Sequence, residues 1–312
     1  MNTPDILIIG SGPAGLTASI YAGRAGFSVV LFTGSEQGGK LSLTDNIENY
    51  PGFSNTSGYD LISNFEKQAK KAGVQFVNDK VQFVDFSRPP FRITTNTETW
   101  LAKAVIIATG SQVKWLSIPN EERFKGKGIS VCATCDGFFY KNKEVAVIGG
   151  GNTALYETLY LSKVAKKVYL VTPHSTLKGE FILRQKTLKL PNIHILYNTH
   201  VLAFEGEEKL TGIKIKNKAH TTTKILALDG CFEAAGFTPN SALFTQQLIL
   251  NKQGYIKTNK HTMATNVSGV FACGDVQETE YRQAIIACAS GARAAMSAEI
   301  FLKAKSYPKF TT

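Results

Sequence analysis

The chain has 312 residues, 43% hydrophobic and 19% charged, enough apolar mass for two packed domains and unlike an intrinsically disordered chain. Lys plus Arg outnumber Asp plus Glu by 35 to 24, a net charge of +11. The basic residues are scattered and no RNA- or DNA-binding module accompanies them, so nucleic acid is not expected as a partner. An anionic cofactor, an acidic protein partner or simply a basic surface remain as uses of the charge.

Met1 to Asp5 leads straight into the strand-like run Ile6–Ile9, without the pattern of a signal peptide. No apolar stretch approaches the ~18–20 residues that cross a bilayer. The expectation is a cytoplasmic protein with no membrane partner. After the first strand come Gly10-Ser11-Gly12-Pro13-Ala14-Gly15, a helix with small residues at Gly15, Ala18, Ala22 and Ala25, and the strand Ser28–Phe32. This βαβ unit carries the G-x-G-x-x-G turn: Gly10 for the tight turn, Gly12 for approach of a pyrophosphate, Gly15 for close helix–strand packing. The free N–H groups and positive dipole of the helix start then face the phosphates. An apolar strand, Ala104–Ala108, follows and closes on Thr109-Gly110.

A second βαβ unit begins at Glu144, with Val145–Ile148, Gly149-Gly150-Gly151-Asn152-Thr153-Ala154, a helix and the strand Lys167–Val171. One such turn is weak evidence, but two copies, each between a strand and a helix, predict two bound nucleotides. Neither second strand ends in the acidic ribose partner of the generic fingerprint; Glu36 arrives late in the first. Near the end, Gly269–Cys273 closes on Gly274-Asp275, which places a carboxylate either at the cofactor edge of a parallel sheet or in an ordinary turn. A small-residue-rich helix with Ala284, Ala287, Ala289 and Ala294 finishes the chain.

The fold class is therefore α/β: two Rossmann-like, three-layer nucleotide-binding domains, the second inserted into the first. The boundaries read from sequence are 1–116 with 246–312, and 117–245, with crossings near Leu116–Pro119 and Leu243–Leu248.

Of five cysteines, Cys132, Cys135, Cys231, Cys273 and Cys288, only the first two are close. Cys132-Ala133-Thr134-Cys135 is either redox-active or half a zinc site. No second pair at ligand spacing exists, which disfavours a metal. The other three read as inert core thiols.

These motifs resemble the low-molecular-weight thioredoxin reductases of the FAD/pyridine-nucleotide-disulfide oxidoreductases, over nearly the whole chain. The resemblance rests on Gly10–Gly15, Gly38-Gly39 with Asn49-Tyr50-Pro51-Gly52, and Ala108-Thr109-Gly110. It continues through Cys132-Ala133-Thr134-Cys135-Asp136-Gly137-Phe138-Phe139, Gly149–Ala154, Gly236 with Pro239-Asn240, Gly274-Asp275 and Tyr281-Arg282-Gln283-Ala284. It implies FAD held by the first and last segments. The pyrophosphate would lie at Gly10, Ser11, Gly12, Pro13, Ala14 and Gly15, the ribose side near Gly34, Ser35, Glu36, Gly38, Gly39 and Leu41, with Asn49, Ala108, Thr109 and Gly110 alongside. Asp275 would contact the ribitol–phosphate portion, and Arg282, Gln283 and Ala284 the flavin. A surface salt bridge is the plainer use of Arg282.

The resemblance further implies electron transfer from NADPH or NADH, bound at Gly149, Gly150, Gly151, Asn152, Thr153, Ala154, His174, Lys178 and Gly236, through FAD to Cys132–Cys135 and on to thioredoxin. Cys135 would be the thiol next to the flavin and Cys132 the one that attacks the partner. Asp136 would be the general acid/base, or else an ordinary Asp-Gly turn residue. Lys127, Phe138 and Phe139 would face thioredoxin, with core packing the alternative for the two aromatics. A homodimer, and rotation of the second domain about the two crossings, are also implied.

One segment departs from the pattern. NADPH-using members follow the second βαβ strand with His-Arg-Arg and a further Arg, which clamp the 2′-phosphate. Here the segment is Thr172-Pro173-His174-Ser175-Thr176-Leu177-Lys178. Pro173 and His174 replace the arginine pair, and Lys178 keeps a charge without the fork. Three outcomes stand open: relaxed use of both nucleotides, NADH preference, or a donor such as ferredoxin. A same-fold reductase with a peroxiredoxin-type acceptor and a non-catalytic flavin sensor are the rival readings.

Overall fold

A computed structural model describes residues 3–44, 47–219 and 222–306. The chain divides into unit 1, Met1–Gln112 with Thr238–Thr312, and unit 2, Val113–Phe237.

Unit 1 opens with β1 (Ile6–Ile9), α1 (Pro13–Arg24), β2 (Val29–Phe32), α2 (Gly58–Lys71), β3 (Gln75–Val77) and β4 (Ala104–Ile107). The chain then builds unit 2 with β5 (Ile129–Ser130), α3 (Ala133–Asp136), β6 (Glu144–Ile148), α4 (Asn152–Leu161), β7 (Lys167–Val171), α5 (Phe181–Leu188), β8 (Ile193–Leu196) and β9 (Gly230–Glu233). It returns to unit 1 for β10 (Val270–Ala272) and α6 (Ala284–Ser306).

In unit 1 the five strands run parallel in the order β10-β4-β1-β2-β3. β10, β4, β1 and β2 are short apolar runs buried on both faces, as a covered parallel sheet requires, and β3 is a partly exposed edge strand. Ile6, Ile8, Leu31 and Ile106 point to one side and join Leu16, Ala18 and Leu61 of the helices. Leu7, Ile9, Val30, Phe32 and Ile107 point to the other and meet Val84, Ile93 and Trp100. Those partners belong to the antiparallel sheet Val81–Asp85, Phe91–Thr95 and Thr99–Ala102, so strand alternation sorts the core into three layers.

Unit 2 repeats the plan, with parallel order β8-β7-β6-β9-β5. Val145, Val147, Leu170 and Phe232 face Ala154, Leu155 and Leu161 of α4. Ala146, Ile148 and Cys231 face Phe204, Ile213 and Ile215 of a second antiparallel sheet.

The crossings differ from the sequence reading. The chain leaves unit 1 after Gln112 and re-enters at Thr238, rather than near Leu116 and Leu243–Leu248. Phe244 and Leu248 are buried in the unit 1 core beside Phe86, and this packing draws the return crossing several residues earlier. A second correction concerns α6. By length and composition its residues Ala284–Ala304 could cross a membrane, a stretch the sequence reading had excluded. Here α6 packs on α1 and buries Ala287, Cys288, Ala294, Ala295, Ala298 and Leu302 in the unit 1 core. Ala289, grouped with the small packing residues from sequence, points outward instead.

Candidate active site

Because the strands of unit 1 are parallel, the turns after β1, β2, β4 and β10 lie along one edge of the sheet. That edge collects Gly10–Gly15, Gly34–Gly39, Ala108–Gly110 and Gly274-Asp275. Gly10 has φ 111°, open to glycine and strained for other residues. A Cβ on Gly15 would fall inside contact with the Gly10 carbonyl oxygen, so the glycine is what lets helix and strand close. The N-cap of α1 is Gly12, with no side-chain cap, which leaves the first N–H groups available to an anion. A Cβ on Gly12 would meet nothing closer than 4.0 Å, so the backbone is open to a ligand there.

Around this cradle, Ser11 Oγ accepts the Gly38 N–H at 3.0 Å and donates to the Thr33 carbonyl, tying the first turn to the second. Asn49 Nδ2 donates to Gln283 Oε1 at 3.2 Å, and Ala284 begins α6. Asp275 pairs with Lys40 Nζ at 3.1 Å and accepts from Ser111 Oγ at 3.3 Å. Arg282 is half-buried, donates to the Tyr255 hydroxyl and Thr279 carbonyl, and lies over the Tyr255 ring. Leu41 falls in the 3₁₀ turn Gly39–Leu43. Ser35 and Glu36 are exposed. An uncapped helix start, glycine turns and a carboxylate at the sheet edge fit a dinucleotide such as FAD.

Unit 2 has its own cradle. Gly149 has φ 151°, and a Cβ there would meet Ala234 O at 2.8 Å and Ala154 Cβ at 2.9 Å. One on Gly150 would meet Thr172 Oγ1 at 2.6 Å. Gly151 caps α4 with no side chain. Asn152 and Glu180 lock each other, Nδ2 to Oε1 at 3.1 Å and Glu180 N–H to Oδ1 at 2.8 Å. Beside the turn, Lys178 N–H donates to the Gly150 carbonyl at 2.7 Å. His174 and Lys178 are both exposed, and Gly236, φ 94°, follows β9. These features fit a pyridine dinucleotide.

Cys132 and Cys135 are joined in a disulfide, Cα atoms 5.3 Å apart, at the head of α3. Cys132 caps the helix and its carbonyl accepts from the Cys135 and Asp136 N–H groups. Ser130, buried on β5, accepts the Cys132 N–H at 3.1 Å and also bonds the Asp136 side chain. Burial raises the Asp136 carboxyl above its usual range, against the pull of that serine. Glu157 on α4 is pushed up to about 8 by burial, with its Ala133 N–H bond opposing and the Asp136 charge adding to the rise.

Phe138 and Phe139 are 65% and 46% exposed and meet edge to face, which settles against core packing for both. Lys127 stands apart from them in sequence, exposed on the turn before β5. Cys231, Cys273 and Cys288 are free and buried, and burial raises all three thiols. Among the described residues no group of three His, Cys, Asp or Glu side chains could hold a metal.

The family pattern of pyridine nucleotide-disulphide oxidoreductase matches residues 4–291. The chain belongs to this family. It is 43% identical to the thioredoxin reductase of Rickettsia felis over 305 residues, covering 96% of this chain and 98% of that one. It is 44% identical to that of Buchnera aphidicola over 98% and 99%. The solved thioredoxin reductase of Giardia duodenalis superposes with a TM-score of 0.93 at 36% identity, covering 97% of this chain and all of its own. The sequence had missed Lys40, Ser111, Ser130, Glu157 and Glu180, which no motif marks; all but Ser130, whose partners Cys132 and Asp136 are close by, take part in the site through a partner distant in sequence.

Proposed function

We propose that the chain is a thioredoxin-disulfide reductase, passing two electrons from NAD(P)H to a thioredoxin disulfide. The observation that carries this reading is the Cys132–Cys135 disulfide beside the desolvated Asp136, in a unit that also holds a dinucleotide cradle. FAD, when bound at the edge of unit 1, supplies the two-electron relay between nicotinamide and disulfide. Gly10–Gly15 and the start of α1 would hold its pyrophosphate, and the Lys40–Asp275 pair would fix the carboxylate near its ribitol–phosphate. Asn49 and Gln283 brace each other so that the start of α6 stays placed beside the flavin.

The chain's own acid chemistry falls to Asp136. Burial keeps its carboxyl protonated to higher pH, so it can give a proton to a departing thiolate and take one from a thiol. Cys132 is assigned the attack on the partner disulfide and Cys135 the exchange with the flavin. Phe138 and Phe139 offer exposed aromatic surface to the partner. The pyridine nucleotide is placed at Gly149–Ala154, with His174 and Lys178 the only charged or titratable side chains of the 172–178 turn available to a 2′-phosphate. A homodimer and a reducing, cytoplasmic setting complete the proposal; three unpaired thiols fit the latter.

Cys132→Ser is the direct test. It should abolish NAD(P)H-driven thioredoxin reduction while the purified protein keeps its flavin absorbance. Undiminished turnover would sink the disulfide mechanism.

A further inference from the structure

Beside the redox pair, the chemistry above leaves one half-buried acid unused. Glu157 lies on α4 one turn after Ala154 and one turn before Leu161, both core residues, so its side chain points inward, to the face that carries α3. It accepts the Ala133 N–H, on the turn between the two cysteines. Its Oε2 is buried, with no hydrogen-bond partner among the described residues. Asp136 sits on the same turn of α3, close enough for the two carboxyls to feel each other's charge. The two acids differ in support, since Asp136 receives the Ser130 hydroxyl while one oxygen of Glu157 receives nothing.

Two desolvated carboxyls in one site do not both ionise near neutral pH. The proton they retain belongs to the pair, and it resides on the acid with the poorer support for its anion, Glu157. We propose that Glu157 is a positioning residue that acts through Asp136, storing the proton that Asp136 delivers to the redox pair. The inference rests on Asp136 being the acid of the reaction.

The step balances. The disulfide accepts the two electrons of the proposed reaction and its S–S bond breaks. Asp136 gives its proton to one sulfur and the other stays a thiolate; the proton stored on Glu157 then shifts to Asp136, and water reaching the half-buried Glu157 restores it. The other titratable groups facing the pair are the cysteines themselves, Tyr140 on the following turn, and Tyr160, whose ring packs on Gly137. Beyond Tyr140 lie Cys231 and Asp229.

The test is the pH profile of thioredoxin turnover by the flavin-loaded enzyme from about pH 6 to about pH 9.5, for wild type, Glu157→Gln and Asp136→Asn. Gln keeps the size and can accept the Ala133 N–H, but cannot store a proton. The alkaline limb of kcat should therefore move down by about one pH unit or more, with kcat near pH 6 within about threefold of wild type and KM for thioredoxin unchanged. A uniform loss with an unshifted limb, or a profile superimposable on wild type, overturns the proposal. Asp136→Asn should lose turnover throughout; if it does not, the Asp136 assignment fails, a separate result. Should Glu157→Gln not hold flavin, the infrared carbonyl band of a protonated carboxyl decides. It should be present in wild type at neutral pH and shifted in Glu157→Asp. No shift overturns the proposal.

Discussion

On the proposed assignment of the nucleotide site, nucleotide choice turns on the short stretch after β7. After β7, Thr172 is buried, Pro173 half-buried, and His174 and Lys178 exposed. The backbone is fixed on both sides, with the His174 carbonyl accepting from Asn198 and Lys178 N–H donating to Gly150. A side chain longer than histidine at 174 would leave this held backbone toward solvent, next to the glycine turn. His174→Arg adds one charge-assisted fork to a 2′-phosphate, worth about 1.5–3 kcal/mol. At this exposed site the lower value applies, or about tenfold in affinity. Pro173→Arg with His174→Arg should reach about a hundredfold. The assay is the ratio of kcat/KM for NADPH over NADH, measured at low and at high salt because exposed charge contacts are screened. Wild type should discriminate by less than about tenfold, and the double variant should favour NADPH by about a hundred, mostly through KM and more strongly at low salt. A wild type that already prefers NADPH by about a thousandfold would refute the reasoning, as would a double variant with an unmoved ratio.

Gly291→Ala should cost about 1–3 kcal/mol of stability and release flavin on mild heating, because the added Cβ would overlap the Ala14 carbonyl where α6 crosses the start of α1. Flavin fluorescence during a thermal ramp reads both effects. Stability should also depend on pH through two buried acids, Glu157 at about 8 and Glu233, raised by burial to about 7. Both lie above the ~4.3 of an unfolded glutamate, so between these limits the folded chain holds more protons. Their contribution is therefore full below about pH 4 and is lost as pH rises through 7 to 8. Urea midpoints should fall over that window, and fall less in Glu157→Gln or Glu233→Gln; equal slopes in all three proteins would contradict the assignment.

The elements with their own chemistry were legible in the sequence. Gly10–Gly15 and Gly149–Ala154 announce themselves because a tight turn, a close backbone approach and a helix start each need a particular residue at a fixed offset. Cys132–Asp136 is local for the same reason. What escaped is what depends on distant partners. Asn49 meets Gln283 across 234 positions and Lys40 meets Asp275 across 235, distances over which neither periodicity nor spacing carries a signal. Glu157 looks like an ordinary helix residue until the fold brings α4 against the turn of the cysteines, while Ser130, two residues before Cys132, escaped because a lone serine carries no pattern of its own. The return crossing was placed too late because Leu243–Leu248 reads equally well as a linker or as a 3₁₀ turn; burial of Phe244 decides it. The apolar character of α6 was diluted in sequence by its many small residues, which are what let it lie close on α1.

The interrupted layout of unit 1 has a consequence for how the protein is made. β4 is among the first pieces of its sheet to leave the ribosome, yet the neighbour that covers its free edge, β10, emerges only after the whole of unit 2. Synthesis therefore presents a closed contiguous segment, Val113–Phe237, while the earlier segment still waits with one edge and the α6-facing side of α1 bare. The proposed flavin cradle is complete only once Gly274-Asp275 and the start of α6 are out. A chain that stops before Gly274 would thus carry all of unit 2 but lack one side of that cradle and the cover of β4 and α1.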